Sequence, residues 1–286
     1  MKYALIKELK AEHQVSRLCR NFGVSTSGYY DWLDRPKSAR QQRDEELKVQ
    51  IKQSFFDSHE IYGVPRIHED LKDQGEKVGK KRVARLMKEE ALAARSIKAF
   101  KKTTVSNPNR PVADNLLQQD FQATAPNQRW VTDITYIRTE EGWLYLAAIM
   151  DLYSRAIVGW AMDKQMTVNL VCSALMMGLS RRKVTSGLLL HSDRGVQYTA
   201  VDYQQQLTDH GIVCSMSGTG NCYDNAAMES FFHSLKTEWV HHNKYQTREQ
   251  AKASVFEYIE MFYNRKRRHS YIGQLAPMQF EEKQAA

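Results

Sequence analysis

Apolar residues in the first ninety positions recur at helical spacing. Val15, Leu18, Cys19 and Phe22 share one face, Gly23 breaks the run, and Ser25 can cap a helix carrying Tyr29, Tyr30, Trp32 and Leu33. Helix, glycine turn, helix is a helix-turn-helix layout, although any small helical hairpin reads alike. Asp34 to Ser38 ends this unit as a turn. Leu47, Ile51 and Phe55 mark the next helix. Pro65, just after Gly63, suits a helix start, and Ile67 and Leu71 continue that helix until Gly75. Lys80 to Lys88 then sets Val83, Leu86 and Met87 against a basic face of Lys80, Lys81, Arg82 and Arg85. Such a helix suits contact with a nucleic-acid backbone or groove, and a solvated face would look the same.

From Lys98 to Asn127 no period is sustained, which predicts a basic linker that either tracks a phosphate backbone or is a plain tether. The texture changes at Trp130. Residues 130–137 are β-branched and aromatic, as in a strand. The polar turn 139–142, the apolar run 143–150 and the stretch 156–162 complete a three-stranded meander. Helices are expected at about 167–181 and 200–210, strands ending at Asp193 and near 212–215, and a last core helix from an Asp224 cap to Trp239. Meander followed by alternating helix and strand predicts an α/β core: a mixed sheet, antiparallel then parallel, flanked by helices, behind an all-α amino-terminal part. The expected units are 1–36, 41–97, the linker 98–127, and a core with a C-terminal helical extension over 128–286.

Charge sharpens this division. Residues 1–110 hold 24 Lys and Arg against 15 Asp and Glu, a net of +9, whereas 111–286 hold 17 against 18, a net of −1. A basic part beside a near-neutral part suggests one region that grips a polyanion and another that acts on it. The four cysteines, Cys19, Cys172, Cys214 and Cys222, form no Cys-x-x-Cys pair, which argues against structural zinc and a disulfide framework. No apolar run reaches membrane-spanning length and no signal peptide opens the chain, so a cytoplasmic protein without membrane contact is expected.

Three acids stand in settings that would hold a carboxylate rigidly. Asp133 interrupts an apolar strand, where an unpaired carboxylate costs several kcal/mol by order of magnitude. Asp193 follows Leu188-Leu189-Leu190-His191-Ser192, with Gly195 free to turn. On the last core helix Met228, Phe231, Phe232, Leu235 and Trp239 form the apolar face, and Asn225, Glu229, His233 and Lys236 flank it. Two strand carboxylates and one on a covering helix make a hard-oxygen cluster suited to Mg²⁺, and a pair of ions can drive in-line phosphoryl displacement. If the 139–142 turn pairs Ile137 with Trp143, Asp133 faces about Ala147, and Asp151 lies about 13 Å further on as a turn or structural residue within reach of pairing with Arg155. The run Arg265, Lys266, Arg267, Arg268 ends a helix holding Val255, Ile259 and Phe262. It reads as DNA-backbone contact or as cationic helix capping.

The chain resembles the bacterial insertion-sequence transposases with an integrase-type catalytic core, in particular their second-reading-frame products. The resemblance covers nearly the whole chain. It is carried by Trp130 to Tyr136, Asp151 to Arg155, His191 to Tyr198, Asn221 to Glu229, Tyr263-Asn264, Arg268-His269-Ser270 and Pro277. Upstream it includes Ile61-Tyr62-Gly63 and Arg82 to Met87. Fifty-nine residues separate Asp133 from Asp193, and thirty-five separate Asp193 from Glu229, the second being the family's Asp-Asp-Glu interval. The resemblance implies an RNase H-like fold, a catalytic and metal-binding triad of Asp133, Asp193 and Glu229, and two Mg²⁺ or Mn²⁺ ions. It also implies Lys236 as a DNA contact, DNA partners (terminal inverted repeats and target), and a homo-oligomer on DNA. An upstream-frame protein or fusion, supplying the zipper this chain lacks, is implied as well. A non-catalytic repressor and an RNase H-fold nuclease are the competing readings. His191 and Asn225 either position DNA or water or serve structure.

Overall fold

The computed structural model describes residues 2–95, 113–218 and 225–285. The first three helices, α1 (Lys2–Leu9), α2 (Val15–Phe22) and α3 (Thr26–Asp34), close around Ile6, Leu18, Cys19 and Tyr29. The expected punctuation is in place: Gly23 caps α2 in the left-handed region at φ 63°, and the Ser25 hydroxyl accepts from the Gly28 amide. Next come α4 (Ala39–Asp57), opened by a Ser38–Gln41 capping box, α5 (Val64–Asp73) and α6 (Lys80–Glu89). Leu47, Ile51, Phe55, Ile67, Leu71, Val83, Leu86 and Met87 are all buried where they meet.

The sheet has strand order β3-β2-β1-β4-β5, from β1 (Arg129–Thr139), β2 (Gly142–Asp151), β3 (Ile157–Asp163), β4 (Leu189–Ser192) and β5 (Val213–Met216). The first three strands are antiparallel, and β4 and β5 run parallel to β1. Alternation sorts the side chains between two layers. Trp130, Ala147 and Ile149 face α7 (Val168–Arg181) and α8 (Val201–Asp209). Val131, Ala148 and Met150 face α9 (Ala226–Glu238) and α10 (Arg248–Phe256). Helix α7 lies so close to β3 that a Cβ on Gly159 would stand 2.3 Å from the Ala174 carbonyl oxygen, so glycine is required there. A widened turn, Glu257–Tyr263, extends α10 and buries Tyr258, Ile259, Phe262 and Tyr263; α11 (Pro277–Ala285) follows. No helix of the described residues is long and apolar enough to cross a membrane.

Two expectations are corrected. The hairpin loop is two residues long, so Thr139 pairs with Gly142 and Ile137 with Leu144; Asp133 therefore faces Ala148, not Ala147. Asp151 is the structural turn residue expected: fully buried, it accepts from the Asn127 and Tyr153 amides, and its carbonyl accepts from the Arg155 amide (2.8 Å), while the Arg155 guanidinium lies over the Tyr271 ring. Residues 96–112 of the expected linker lie outside the described residues. The stretch 113–127 is no tether: Leu117 is buried, and the Leu116 and Leu117 amides donate to the Ser215 hydroxyl. Apolar Leu117 and Phe121 gain more from the core than from solvent.

The α4–α6 unit is docked onto the C-terminal extension. The Tyr62 hydroxyl donates to the Lys266 carbonyl (2.7 Å) and accepts from the Arg268 amide (2.9 Å). The Arg268 guanidinium spans Asp70 (2.6 Å) and Asp73, and His59 packs edge-on against Trp239.

Candidate active site

Asp133 and Asp193 are brought together by sheet register. The parallel pairing of β1 and β4 sets Val131 beside His191, and two further places along each strand lie the two aspartates. Neighbouring strands are about 4.8 Å apart, so equivalent positions put side chains side by side. The Asp133 Oδ1 accepts from the Ile134 amide at 2.8 Å, and the Asp193 Oδ1 accepts from the Gly195 amide at 2.9 Å. A Cβ at position 195 would stand 2.9 Å from that same Oδ1, so glycine lets the turn close on the carboxylate.

Helix α9 delivers Glu229 within its first turn. Met228, Phe231, Phe232 and Leu235 bury one face against the sheet, which turns Glu229 and Lys236 toward Asp133. Asn225, buried at the helix start, donates from Nδ2 to the Thr132 carbonyl (3.0 Å), one residue before Asp133. The proposed Asp224 cap lies outside the described residues. Lys236 sits 4.7 Å over the Tyr136 ring.

The electrostatics match this convergence. Burial, then the charge of Asp193, pushes the Asp133 carboxyl up to about 8; the Ile134 amide opposes this, Glu229 adds to it, and Lys236 opposes it slightly. Burial also raises Asp193, against the Gly195 amide. Burial lowers the Lys236 ammonium, and Asp133 partly restores it. The carboxylates share a field but not a closed cage: among the described residues no three acidic, His or Cys side chains stand close enough to hold an ion as they are. The donor set nonetheless suits a hard divalent cation. Three oxygen donors, one of them a crowded carboxyl disfavoured as an anion by its neighbours, are what a divalent charge would relieve.

Elsewhere the side chains divide. His191 is fully buried between the Ser215 (2.8 Å) and Ser217 (3.2 Å) hydroxyls, a place in the core under the site. Lys80 and Lys81 are exposed without an ion pair among the described residues, and so are Arg265 and Lys266. Arg82 and Arg85 both donate to Asp44 at 2.7 Å, which ties α6 to α4. Arg268 is held in the docking contact. Arg267 corrects the expectation of a DNA contact: it is buried, with Nε 2.7 Å and Nη2 2.6 Å from the two Glu238 oxygens. A residue the sequence reading left without a role is Tyr198, whose buried hydroxyl lies 3.2 Å from the Thr132 hydroxyl and within the field of Asp133. Its place in the run from His191 was the only signal.

Residues 123–222 and 229–284 match the integrase core domain families, and residues 42–100 match an HTH-like domain. The chain is 46% identical over 288 residues, with all of both chains covered, to the transposase InsF for insertion sequence IS3A of Escherichia coli (strain K12). It is 49% identical over 266 residues to an uncharacterized 31 kDa protein of insertion element IS600 from Shigella sonnei, covering 93% of this chain and 98% of that one. Among solved structures it resembles the simian T-cell lymphotropic virus intasome in complex with PP2A regulatory subunit B56 gamma. That match has a TM-score of 0.48 and 16% identity, over 81% of this chain and 74% of that one. It also resembles the HTLV-2 integrase catalytic core domain in complex with magnesium, with a TM-score of 0.44 and 16% identity, over 56% of this chain and 99% of that one. Helical DNA-binding layout, mixed sheet and full-length identity agree: the chain belongs to the IS3 family of insertion-sequence transposases, with an HTH-like domain ahead of an integrase core.

Proposed function

We propose that this transposase cuts DNA at the ends of its element and joins the exposed 3′ hydroxyl to a target phosphodiester, using Asp133, Asp193 and Glu229. The observation that supports the reading is the shared field of these three carboxylates: Asp193, just past β4, and Glu229, on α9, both raise the Asp133 carboxyl on β1. Asp133 and Asp193, with Glu229 opposite, would hold Mg²⁺ or Mn²⁺, two ions in all. Bound there, such cations supply Lewis acidity at the scissile phosphate and a more acidic attacking water.

The chain's own residues do the positioning. The Gly195 and Ile134 amides fix the aspartate carboxylates, and Asn225 fixes the start of α9 against β1. Lys236 offers a cation at the rim for a DNA phosphate. The exposed Lys80, Lys81, Arg265 and Lys266 offer backbone contacts, with Arg82 and Arg85 acting only if they leave Asp44. The partners are the element's terminal repeats and target DNA, gathered by a homo-oligomer together with an upstream-frame protein or fusion.

The test is a cleavage and strand-transfer assay on labelled element-end DNA, with Mg²⁺ or Mn²⁺ against a chelator, comparing wild type with Asp193→Asn and Glu229→Gln. We expect joined products from wild type only, with DNA binding kept in both variants. Unchanged products from either variant would remove it from the triad.

A further inference from the structure

Arg155 belongs to the run Asp151-Leu152-Tyr153-Ser154-Arg155, which the catalytic carboxylates leave unexplained. It is an unusual arginine. Its backbone is left-handed at φ 64°, its side chain is nine-tenths buried, and its guanidinium lies 3.9 Å over the Tyr271 ring. One Nη reaches the Phe121 carbonyl at 3.4 Å, and the Nε has no hydrogen-bond partner among the described residues. A buried guanidinium whose Nε is left unpartnered among the described residues, on left-handed backbone, is costly, and it points to a function.

It opens onto a cavity of about 460 Å³ that is also lined by Arg66 of α5, Arg267, and Ser230 of α9. Three guanidinium groups converge there. The half-buried His269 is driven well below its usual value by desolvation and then by Arg267, Arg66 and Arg155 together. Among the described residues their one close carboxylate is Glu238, which is already committed to Arg267 and the Tyr258 hydroxyl and stands 3.5 Å from Arg66. Among the described residues the cavity thus carries more positive charge than its acids neutralise.

Its position is as telling as its charge. Met150, on its wall, pairs with Val131, two residues along β1 from Asp133 and on the same sheet face. That is about 7 Å of strand rise. Ser230 follows Glu229 on α9. The cavity therefore adjoins the carboxylate cleft where the HTH-like domain meets the core.

We propose that this cavity is a phosphate-binding site for the backbone of the DNA strand. It holds a phosphodiester next to the one being cut, through Arg66 and Arg155. The proposal rests on the transposition reading for the identity of the polyanion. Planar guanidinium forks match a phosphate's oxygens, and a site shared by Arg66 and the core would let the HTH-like domain and the catalytic sheet grip one strand together.

The test uses the full chain and a labelled DNA duplex, with affinity measured across a range of salt concentrations for wild type, Arg66→Gln and Ser230→Asp. Arg66→Gln leaves the Arg267–Glu238 pair in place, and circular dichroism checks the fold. Ser230→Asp sets a carboxylate at the exposed mouth of the cavity. We expect both to bind roughly tenfold more weakly, equally on unrelated sequences, with the log affinity–log salt slope of Arg66→Gln reduced by about one. Wild-type affinity and slope in both folded variants would overturn the proposal. So would inorganic phosphate that stabilises wild type but not Arg66→Gln while DNA binding of the two stays equal, since the site would then take a free ion rather than the backbone. Strand transfer by wild type is read separately. Products formed alongside an Arg66→Gln that binds normally leave the chemistry standing and the pocket fallen, and the converse result does the opposite.

Discussion

Asp133 should cost the cation-free protein stability, by an amount that depends on pH. Its carboxyl titrates at about 8 in the folded chain against 3.8 for an ordinary aspartate. Below pH 3.8 both folded and unfolded states hold the proton and the residue is neutral in effect. Between 3.8 and 8 the unfolded chain gives up its proton and the folded chain keeps it, so each pH unit favours unfolding by about 1.4 kcal/mol. Above 8 the cost is complete. Four units give a ceiling of roughly 6 kcal/mol; the side chain keeps some solvent contact, which leaves about 2 kcal/mol as the expected figure. Asp133→Asn removes the charge while retaining an oxygen to accept from the Ile134 amide. Urea unfolding with chelator present should show the variant equal to wild type near pH 4 and more stable by about 2 kcal/mol at pH 8. A stability difference that does not change with pH, or an asparagine variant weaker than wild type at pH 8, would refute the reasoning.

Other outcomes follow from the same geometry. Mg²⁺ at a hundredfold over its dissociation constant should stabilise wild type by about 2.7 kcal/mol and leave Asp193→Asn unchanged, read as a shift in the thermal midpoint. Gly195→Ala, which forces a Cβ to 2.9 Å from the Asp193 Oδ1, should lower strand transfer by roughly a hundredfold with little loss of stability; near-normal turnover would show that the carboxylate tolerates displacement. Arg267→Met leaves the largely covered Glu238 with the Tyr258 hydroxyl and, as its nearest cation, the distant Arg66, and should cost about 3 kcal/mol in urea unfolding, most of it recovered in the double variant with Glu238→Gln. Tyr62→Phe removes the two hydrogen bonds that its hydroxyl makes to the extension, leaving the Arg268 pairs with Asp70 and Asp73, and should speed protease cleavage between the two units before global unfolding is affected.

What could be read from the sequence was whatever is local. β-branched and aromatic enrichment announced β1 and a continuous apolar run announced β2, helical spacing announced the buried faces of α4 to α6 and α9, and Gly23, Ser25 and Pro65 marked the ends they punctuate. The two aspartates were legible because each breaks an apolar run. Their adjacency required the β1–β4 register, which no local pattern encodes. The hairpin register missed by one because a two-residue and a three-residue loop suit Thr139-Glu140-Glu141-Gly142 equally well until the strands pair. The basic run 265–268 misled for a related reason. Charge implies solvent by default, and only a partner far away in the sequence, Glu238 for Arg267 and Asp70 for Arg268, draws an arginine inward.

Those distant pairs explain why Glu229 is held well enough to serve. A helix resting on an apolar face alone can rotate or slide by the looseness of its packing, and a carboxylate on its flank would move with it. Helix α9 is fixed at both ends. Asn225 ties its start to the Thr132 carbonyl beside Asp133, and Glu238 ties its last turn to Arg267, Tyr258 and, across the domain junction, Arg66. The first tie sets Glu229 against the aspartates, and the second makes that setting depend on how the HTH-like domain sits. The buried Arg267–Glu238 pair therefore need not add net stability to matter. Its role is to fix one rotation of α9, the kind of specificity for which a buried ion pair is suited.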